Sequence, residues 1–409
     1  MKKMIFMGVF FTLIFANNAS IGAVTIDGKI YNQISMRPEY EFGKIGLGLD
    51  IYFYIDDEGN LYEKSWDFSK GKAFETIIDK IYYVRYNKPD DNFYFRIGGM
   101  SNTTLGYGIL VDNYSNMVEY PHVRRLGMNM KLKPGKGVKA QVLVSDFKRL
   151  PGLIAVRAEL PIFPRMNIGV FAATDLDMSK GLTDSDDDSY PDYFDDFPND
   201  DSKHNEAWEI YMDSQEEWDA ILDCGEGDTE CVESSLQSLL PDQFNSFDPS
   251  TLPEDNLTAF GLDFGLKITK KFILYSQFAQ LVGEGFDSTN ENLGWGAVPI
   301  GMQYSFGPEK FKFMSKLETR INSKHFMYGF WDQTYDLNRA QILTDTEVRT
   351  KRNELEQFGE LKGLFFNTTL SMLSMLDFDI SYQHMIGEVW NSELSSFDEE
   401  EENKSFWLL

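Results

Sequence analysis

Carboxylates with a regular spacing are the residues of this chain whose arrangement could do chemistry. They lie in the segment DSDDDSYPDYFDDFPND, residues 184–200. Counted from the first aspartate, acidic residues occupy positions 1, 3, 5, 9 and 12, and position 7 can offer a backbone carbonyl. A calcium loop wraps oxygen ligands around one hard cation with this spacing. The expected ligands are Asp184, Asp186, Asp188, Tyr190 through its carbonyl, Asp192 and Asp195.

Calcium is the metal that suits such a loop best. It accepts about six to eight oxygen ligands in a flexible geometry, whereas Mg²⁺ demands tighter octahedral geometry and Zn²⁺ prefers nitrogen or sulfur. We therefore expect Ca²⁺ as the cofactor. The alternative for the same residues is an acidic linker that stays solvated and repels itself.

The segment also resembles a known family. DSDDDSYPDYFDDFPND is similar to a thrombospondin type 3 repeat, whose pattern runs Asp-x-Asp-x-Asp-Gly-x-x-Asp-x-x-Asp and often continues into Phe-Pro, as Phe197 and Pro198 do here. The resemblance implies calcium bound by Asp184, Asp186, Asp188, Asp192 and Asp195, and it covers no more than these residues. Ser189 departs from the pattern, because glycine normally makes the sharp turn at this position without steric cost.

The acidic loop belongs to a larger acidic insert, residues 175–257. Residues 175–255 hold 26 Asp and Glu against only Lys180 and Lys203, a net charge of −24 out of −27 for the whole chain. The rest of the chain is therefore nearly neutral, and it carries no basic stripe that would bind nucleic acid. Spacing in 205–224 predicts a helix, and SSLQSLLPDQF predicts a second.

The two cysteines of the chain, Cys224 and Cys231, both lie in this insert. In an exported protein we expect them to form a local disulfide that closes a small loop. Two free thiols and a metal-binding pair are the alternatives.

Outside the insert, apolar residues alternate with polar or small ones. In 260–268, phenylalanine, leucine and isoleucine alternate with glycine, aspartate and lysine, and 126–133 and 311–321 follow the same rule. A period of two places the two sets on opposite faces of a β-strand. Similar segments occur at 44–56, 138–145, 166–173 and 378–387.

Short and long connections between these strands alternate along the chain. Tight turns are expected at PGKG (134–137) and GPEK (307–310), whereas longer links are expected at 174–258, 322–363 and 388–403. Transmembrane β-barrels have short turns on one side and long loops on the other. We therefore predict an all-β, antiparallel transmembrane β-barrel of about 14–16 strands with an acidic, partly helical extracellular insert.

The polar face of the predicted strands would line the barrel interior. These residues are mostly basic, so the interior could pass or bind a small anionic or glycan solute, although the charges could instead pair across strands. The set comprises Asn129, Lys131, Lys133, Lys139, Gln141, Asp263, Lys267, Lys312, Lys316, Glu318 and Arg320.

The N-terminus predicts export. Lys2 and Lys3 precede an apolar stretch from Met4 to Ala16 and then small residues, which is the pattern of a signal peptide. We expect a signal peptide at 1–23, barrel strands in 24–174 and 258–409, and the insert at 175–257. The expected location is the bacterial outer membrane, with its lipid bilayer as partner.

Two hypotheses follow for the function. The first is an outer-membrane barrel that acts as a porin-like channel or a surface-binding protein with a calcium-binding loop. The second is a secreted, soluble, all-β adhesion or glycan-binding module that uses calcium for rigidity. We expect no enzyme, because no convergent serine, histidine and aspartate set is recognisable around the four histidines.

Overall fold

The computed structural model describes residues 16–408 apart from 27–28, 63–65, 67, 70–75, 78–79, 121–122, 148–151, 187, 199, 223, 226–227, 242, 284, 287–291, 309–310, 345–346 and 373–375. The chain forms two compact units. The sheet unit comprises the chain up to Asp175, Leu257–Thr334 and the chain from Leu355 onward. The insert unit comprises Leu176–Asn256 and Tyr335–Glu354.

The sheet unit consists of strands that follow one another along the chain. Those before the insert are β1 Ala16–Ile26, β2 Lys29–Phe42, β3 Ile45–Leu49, β4 Ile51–Ile55, β5 Ile81–Tyr86, β6 Phe93–Gly98, β7 Gly127–Gly135, β8 Val138–Val144, β9 Ile154–Phe163 and β10 Met166–Asp175. Those after it are β11 Leu257–Lys267, β12 Phe272–Val282, β13 Trp295–Phe306, β14 Phe311–Asn322, β17 Leu361–Met372, β18 Leu376–Asn391 and β19 Ser396–Leu408. A small hairpin of β15 Ala340–Thr344 and β16 Glu347–Thr350 belongs to the insert unit.

Consecutive strands of the sheet unit pair antiparallel throughout. β3 and β4 both pair with β2 and are separated only by the buried Asp50, so they form one interrupted pass. With β3 and β4 counted together and the hairpin β15–β16 set aside, the nineteen strands make sixteen passes. The predicted antiparallel β-fold is confirmed. Within the part of the chain that the structure describes, no residue-by-residue register joins β1 to β19.

The connections differ between the two ends of this sheet. One end carries the turns 43–44, 87–92, 136–137, 164–165 and 268–271, and the short links from β13 to β14 and from β17 to β18 connect at the same end. The other end carries the long links from β4 to β5, β6 to β7, β8 to β9, β10 to β11, β12 to β13 and β14 to β17, together with the short links from β1 to β2 and from β18 to β19. The predicted alternation of tight turns and long links is therefore present along most of the sheet.

The burial of the two faces is the reverse of that in a soluble sheet. On β11, Asp263 is 3% exposed, whereas its neighbour Leu262 is 50% exposed. On β14, Glu318 is 2% exposed and Leu317 is 40% exposed. Charged side chains thus lie on the covered face, which we call the inner face, and aliphatic and aromatic side chains lie on the open face.

The final hairpin differs from the sequence prediction. A long link was predicted at 388–403, but β18 continues to Asn391 and β19 pairs with it from Ser396. The acidic run at 398–402 hid this strand, because carboxylates are rare in strands and mask the alternation of apolar residues.

The insert unit contains helices at both predicted places. Residues 205–224 form two helices, α1 Glu206–Asp213 and α2 Gln215–Leu222, and α3 Thr229–Leu239 overlaps the first part of SSLQSLLPDQF. The short helices α4 Tyr335–Asn338 and α5 Lys351–Glu354 were not predicted; short 3₁₀ helices span Met178–Gly181 and Pro249–Thr251, and one in the sheet unit spans Leu355–Gln357. Asn205 and Asp228 cap the first turns of α1 and α3 by accepting hydrogen bonds from backbone N–H groups. Helix α1 packs against α3 through Ala207, Tyr211, Val232 and Leu236. No helix among the described residues is long and apolar enough to cross a membrane.

Two further sequence predictions concern the two cysteines and the N-terminus of the chain. A disulfide joins Cys224 and Cys231, whose Cα atoms are 5.8 Å apart. Residues 1–15 of the predicted signal peptide lie outside the described residues, and Ala16–Ala23 lie in β1, where they pair with β2.

Candidate functional site

An ion-pair network occupies the inner face across β8 to β11. Arg157 on β9 donates two hydrogen bonds to Asp263 on β11, each 2.7 Å long, and a third of 2.9 Å to Glu159. Lys139 on β8 donates to Glu159 at 2.7 Å, and Asn167 on β10 donates to the same carboxylate at 2.8 Å. Bidentate pairing of this kind gives the most rigid charged contact available to arginine.

The network crosses β10 at a glycine. Gly169 lies between Arg157 and Asp263, and a Cβ atom placed on it would come within 2.5 Å of the Asp263 carboxylate oxygens and 2.7 Å of Arg157 Nη2. A residue with any side chain would occupy the space of the ion pair. The glycine on β10 therefore allows side chains from the two flanking strands, β9 and β11, to meet across it.

A second network lies on β14. The Glu318 carboxylate accepts from Tyr275 Oη at 2.6 Å and from Arg320 Nε at 2.8 Å. The Arg320 guanidinium lies 3.5 Å from the ring centre of Phe365 and donates to Gln383 at 3.1 Å. Charge pairing within and across strands, the alternative that the sequence left open, accounts for these inner-face residues.

The other predicted interior residues differ in burial. Lys316 is buried on the inner face, and Lys131 and Lys133 are half-buried. Lys133 lies 3.9 Å from Asp90 in the adjoining turn. Lys267 and Lys312 are exposed near the short-turn end. Gln141 donates to Asn129 at 3.3 Å.

The connection 99–126 folds onto the inner face, and we call it the inward segment. It is buried there, with Leu105, Ile109, Val111 and Tyr114 each at most 2% exposed. Tyr107 in its centre stacks on Tyr275 of β12 with ring centres 4.2 Å apart. The segment therefore covers part of the inner face of the sheet.

Polar contacts hold the inward segment against two strands. The Gln277 side-chain oxygen accepts from the backbone N–H groups of Tyr107 and Ile109 at 3.3 and 3.4 Å. Lys316 donates to the Tyr107 carbonyl at 3.2 Å and pairs with Asp112 at 3.3 Å. Lys316 was predicted to line the barrel interior. Its contacts with Tyr107 and Asp112 hold the inward segment on the inner face of the sheet.

The far side of the inward segment pairs with the connection after β14. Gly329 and Trp331 donate to Ile109 and Leu110 at 2.9 and 3.0 Å, and Asp112 donates to Trp331 at 3.2 Å. Phe330 and Trp331 are completely buried there. Two chain segments therefore meet on the inner face of the sheet.

The inward segment was not recognised from the sequence. GYG at 106–108 was interpreted as ordinary strand or turn glycines, yet Gly106 and Gly108 adopt φ values of +65° and +97°. A Cβ on Gly106 would lie 2.9 Å from the Asp263 carboxylate. The available signal was the apolar run LGYGILV in a connection that would otherwise be solvated.

The acidic loop brings part of its predicted ligand set together. Carboxylate oxygens of Asp184, Asp186 and Asp188 all lie within 4.8 Å of one another. The loop turns tightly because Ser189 donates its N–H to Asp184 at 3.1 Å and Tyr190 donates to Asp188 at 2.7 Å. Ser189 itself has a φ of +85°, the left-handed conformation expected where the related repeats carry glycine.

The other two aspartates have different environments. Both oxygens of Asp192 accept hydrogen bonds from Ser185, at 2.7 and 2.8 Å, which closes the loop upon itself. Asp195 is 7% exposed, and its Oδ2 atom is buried without a hydrogen-bond partner. Burial, followed by the repulsion of Asp188 and Asp186, raises the pKa of Asp195 above its ordinary value. The structure gives no contact for the Tyr190 carbonyl, and the Tyr190 ring stacks on His204.

Aromatic residues position this loop on the rest of the insert unit. Phe194 stacks on Phe247 with ring centres 3.9 Å apart, and Asn245 donates to the Phe194 carbonyl. Asn205, the cap of α1, donates to the carbonyl of Asn245 at 2.7 Å. The loop is thus attached to the helical part of its own unit.

Comparisons with known proteins add little beyond the architecture. No protein-family model matches the chain, and no curated protein matches it. Among solved structures, the chain is similar to Wzi of Escherichia coli, an outer-membrane carbohydrate-binding β-barrel involved in capsule assembly, with 9% identity and a TM-score of 0.35 over 94% of this chain and 73% of that one. It is also similar to the outer-membrane channel DcaP of Acinetobacter baumannii, with 10% identity and a TM-score of 0.31 over 97% and 93%. Sequence identities and TM-scores this low do not allow the function of either protein to be assigned to this chain.

Proposed function

We propose that the chain is an outer-membrane β-barrel whose interior is narrowed by the inward segment. Small solutes would either pass through this interior or bind in it. The observation that carries the proposal is the inverted burial of the sheet, with charged networks covered and large apolar side chains open. A lipid bilayer accepts such an apolar face, whereas water does not. An exposed apolar surface of this extent counts against the secreted soluble module.

Two features of the sheet support closure into a ring. Sixteen antiparallel passes are an even number, as bacterial barrels have, and most tight turns gather at one end as they do on the periplasmic side. This count includes β1, and cleavage of the proposed signal peptide after residue 23 would leave only Val24–Ile26 of that strand. Closure requires β19 to meet the first strand of the mature chain, which would remove the two open edges that a bilayer does not tolerate.

Membrane fractionation and gel migration test this proposal. The full chain, expressed with its N-terminus intact, should enter the outer-membrane fraction and migrate faster on a gel when it is not boiled. Refolded protein should give discrete conductance steps or bind solute in detergent. Release of the folded protein into the medium would overturn the barrel and favour the soluble adhesion module. Sequencing of the mature N-terminus tests the proposed signal peptide.

We also propose that the acidic loop binds Ca²⁺. Asp184, Asp186 and Asp188 converge, and the buried Asp195 carboxylate is electrostatically coupled to Asp186 and Asp188. A divalent cation would neutralise the charges of Asp188 and Asp186, which together with burial raise the pKa of Asp195. Oxygen atoms alone form the donor set, as calcium prefers. Both carboxylate oxygens of Asp192 accept hydrogen bonds from Ser185, so Asp192 would shape the calcium-binding loop rather than bind the ion directly.

Limited proteolysis of the full chain tests the calcium proposal. Calcium at millimolar concentration should protect the insert unit from cleavage relative to a chelator, while Mg²⁺ at the same concentration should protect less. Asp188→Ala should remove the difference. Equal cleavage with calcium and with chelator would show that the loop is a solvated acidic tether.

A further inference from the structure

Most inner-face cations described above pair with a carboxylate, and Lys131 on β7 is an exception. The paired cations are Lys139, Arg157, Lys316 and Arg320. Among the residues that the structure describes, Lys131 has no carboxylate within ion-pair distance and no hydrogen-bond acceptor, although it is half-buried. Taking a cation partly out of water costs free energy that an ion pair normally offsets. Lys131 therefore lacks the negative partner that the neighbouring inner-face cations have.

The strands on either side place neutral polar residues beside Lys131. Its register partners are Tyr94 on β6 and Gln141 on β8. Tyr94 is 4% exposed, and Gln141 is half-buried and donates to Asn129 at 3.3 Å. Directly opposed residues of antiparallel strands have Cβ atoms about 5 Å apart. Neither neighbour can neutralise the ammonium group, whereas a phenol and an amide can both donate a hydrogen bond to an anion.

Two other lysines add positive charge at this place. Lys133 lies two residues further along β7, on the same face of the strand. It lies 3.9 Å from Asp90, which is fully exposed in the adjoining turn, and an exposed pair of this kind contributes little. The charges of Lys133 and of Lys312, which lies on β14, both repel Lys131. Positive charge therefore exceeds negative charge among the described residues around Lys131.

From this arrangement we propose that Lys131 and Lys133 bind a small anion and make the barrel interior conduct anions in preference to cations. The inference rests on the proposed passage of solutes through the interior. An anion beside Lys131 supplies the negative charge that no described side chain supplies there, and Tyr94 and Gln141 can donate hydrogen bonds to it. A cation at the same place meets two like charges, and the only carboxylate near it is the exposed Asp90.

Reversal potentials of the full chain in a planar lipid bilayer test the proposal. A steep gradient of KCl is the probe, because K⁺ and Cl⁻ move almost equally fast in water and the sign of the potential therefore reports the selectivity. The wild type should be anion-selective. Its selectivity should be stronger at about 0.1 M than at about 1 M salt, since salt screens the charges of the lysines.

Charge should determine the effect of substitutions at Lys131. One unit charge about 5 Å from an ion in water changes the local concentration of that ion about fourfold before screening, and in opposite directions for Cl⁻ and K⁺. Lys131→Gln should therefore lower the ratio of Cl⁻ to K⁺ permeability by about fourfold or more, and Lys131→Glu should lower it by about the square of that factor. Lys131→Arg keeps the charge and should keep the selectivity.

The matched controls are Lys270→Gln and Lys270→Glu, at an exposed position in the turn between β11 and β12, at the same end of the sheet. They should leave the reversal potential unchanged. Heat-dependent gel migration of each variant shows whether it is folded. A wild type that is cation-selective or unselective would overturn the proposal, as would equal shifts for the substitutions at Lys131 and at Lys270.

Failure of this inference is distinguishable from failure of the barrel itself. A protein that enters the outer membrane but conducts without a preference for anions, or does not conduct, contradicts only the assignment of Lys131 and Lys133. A protein that is released into the medium contradicts the proposed function first.

Discussion

Ser189 is the residue at which the acidic loop departs most clearly from its related repeats. Its φ of +85° is costly for any residue with a Cβ, by about 1 kcal/mol. Ser189→Gly should therefore stabilise the insert unit by about that amount and tighten calcium binding, because the turn is formed at lower cost. Thermal unfolding with and without calcium measures both effects.

The control for this substitution is Ser246→Gly, at an exposed position of the same unit without a positive φ. Glycine should be neutral or destabilising there, since it only adds freedom to the unfolded chain. Equal stabilisation by both substitutions would contradict a strained turn at Ser189.

Asp195 carries the cost of burying a carboxylate close to Asp188 and Asp186. A carboxyl group whose pKa is raised by folding destabilises the folded state at neutral pH, and this penalty disappears as the pH falls through the raised pKa. Asp195→Asn should therefore raise the unfolding temperature of the insert without calcium and reduce its rise with calcium. The wild type, but not the variant, should gain stability in chelator as the pH is lowered from 7 toward the ordinary carboxyl range. A variant less stable than the wild type in chelator would contradict this assignment.

The sequence predicted the residues of the acidic loop better than those of the sheet interior. Odd-numbered spacing along one short loop needs no knowledge of distant strands, and the carboxylates of Asp184, Asp186 and Asp188 do lie close together, although their role as calcium ligands stays a prediction. Arg157 and Glu159 were missed, because their partners on β8, β10 and β11 depend on the strand register. The alternation of apolar and polar residues predicts the face of the sheet on which a residue lies, but it does not predict which residue of the adjacent strand that residue contacts.

The ion pair between Arg157 on β9 and Asp263 on β11 depends on Gly169, the residue of β10 that lies between them. Gly169→Ala should separate Arg157 from Asp263, because the added Cβ would occupy the space of their ion pair. Breaking a buried pair leaves an uncompensated charge and costs about 3–5 kcal/mol. The temperature at which heat-dependent gel migration is lost should fall. Gly225→Ala is the control, as its Cβ would meet only Asp228 at an ordinary 3.9 Å, and an equal fall for both would contradict the role of Gly169.

Most strands of the sheet from β7 to β18 followed from alternation, whereas β1, β2, β5 and β6 were not predicted. Two further elements show why local pattern fails. β19 contains a carboxylate run that interrupts the apolar rhythm, so only its pairing with β18 reveals it. The inward segment has no regular period, and its position results from contacts with Gln277 and Lys316, more than 150 residues away in sequence. Such long-range contacts are the part of a fold that local pattern cannot supply.

The whole sheet unit is interpreted as a barrel whose interior is narrowed by the inward segment. Tyr107→Ala should remove the stack on Tyr275 and increase single-channel conductance, since the segment would be smaller and less firmly held. The matched control is Tyr304→Ala, an exposed tyrosine on β13, which should leave the conductance unchanged. Identical conductance of Tyr107→Ala and the wild type would place the ion path away from this segment.

The orientation of the two sheet faces toward lipid or water tests the central claim most directly. Nitroxide labels at Leu262 and Leu317, on the open face, and at Gln141, on the inner face, can be compared after reconstitution into vesicles. We predict that lipid-dissolved oxygen relaxes the labels at Leu262 and Leu317 more strongly than a water-soluble nickel complex does, with the reverse order at Gln141. Labels at Leu262 and Leu317 that respond chiefly to the nickel complex would contradict a lipid-facing apolar surface and, with it, the barrel.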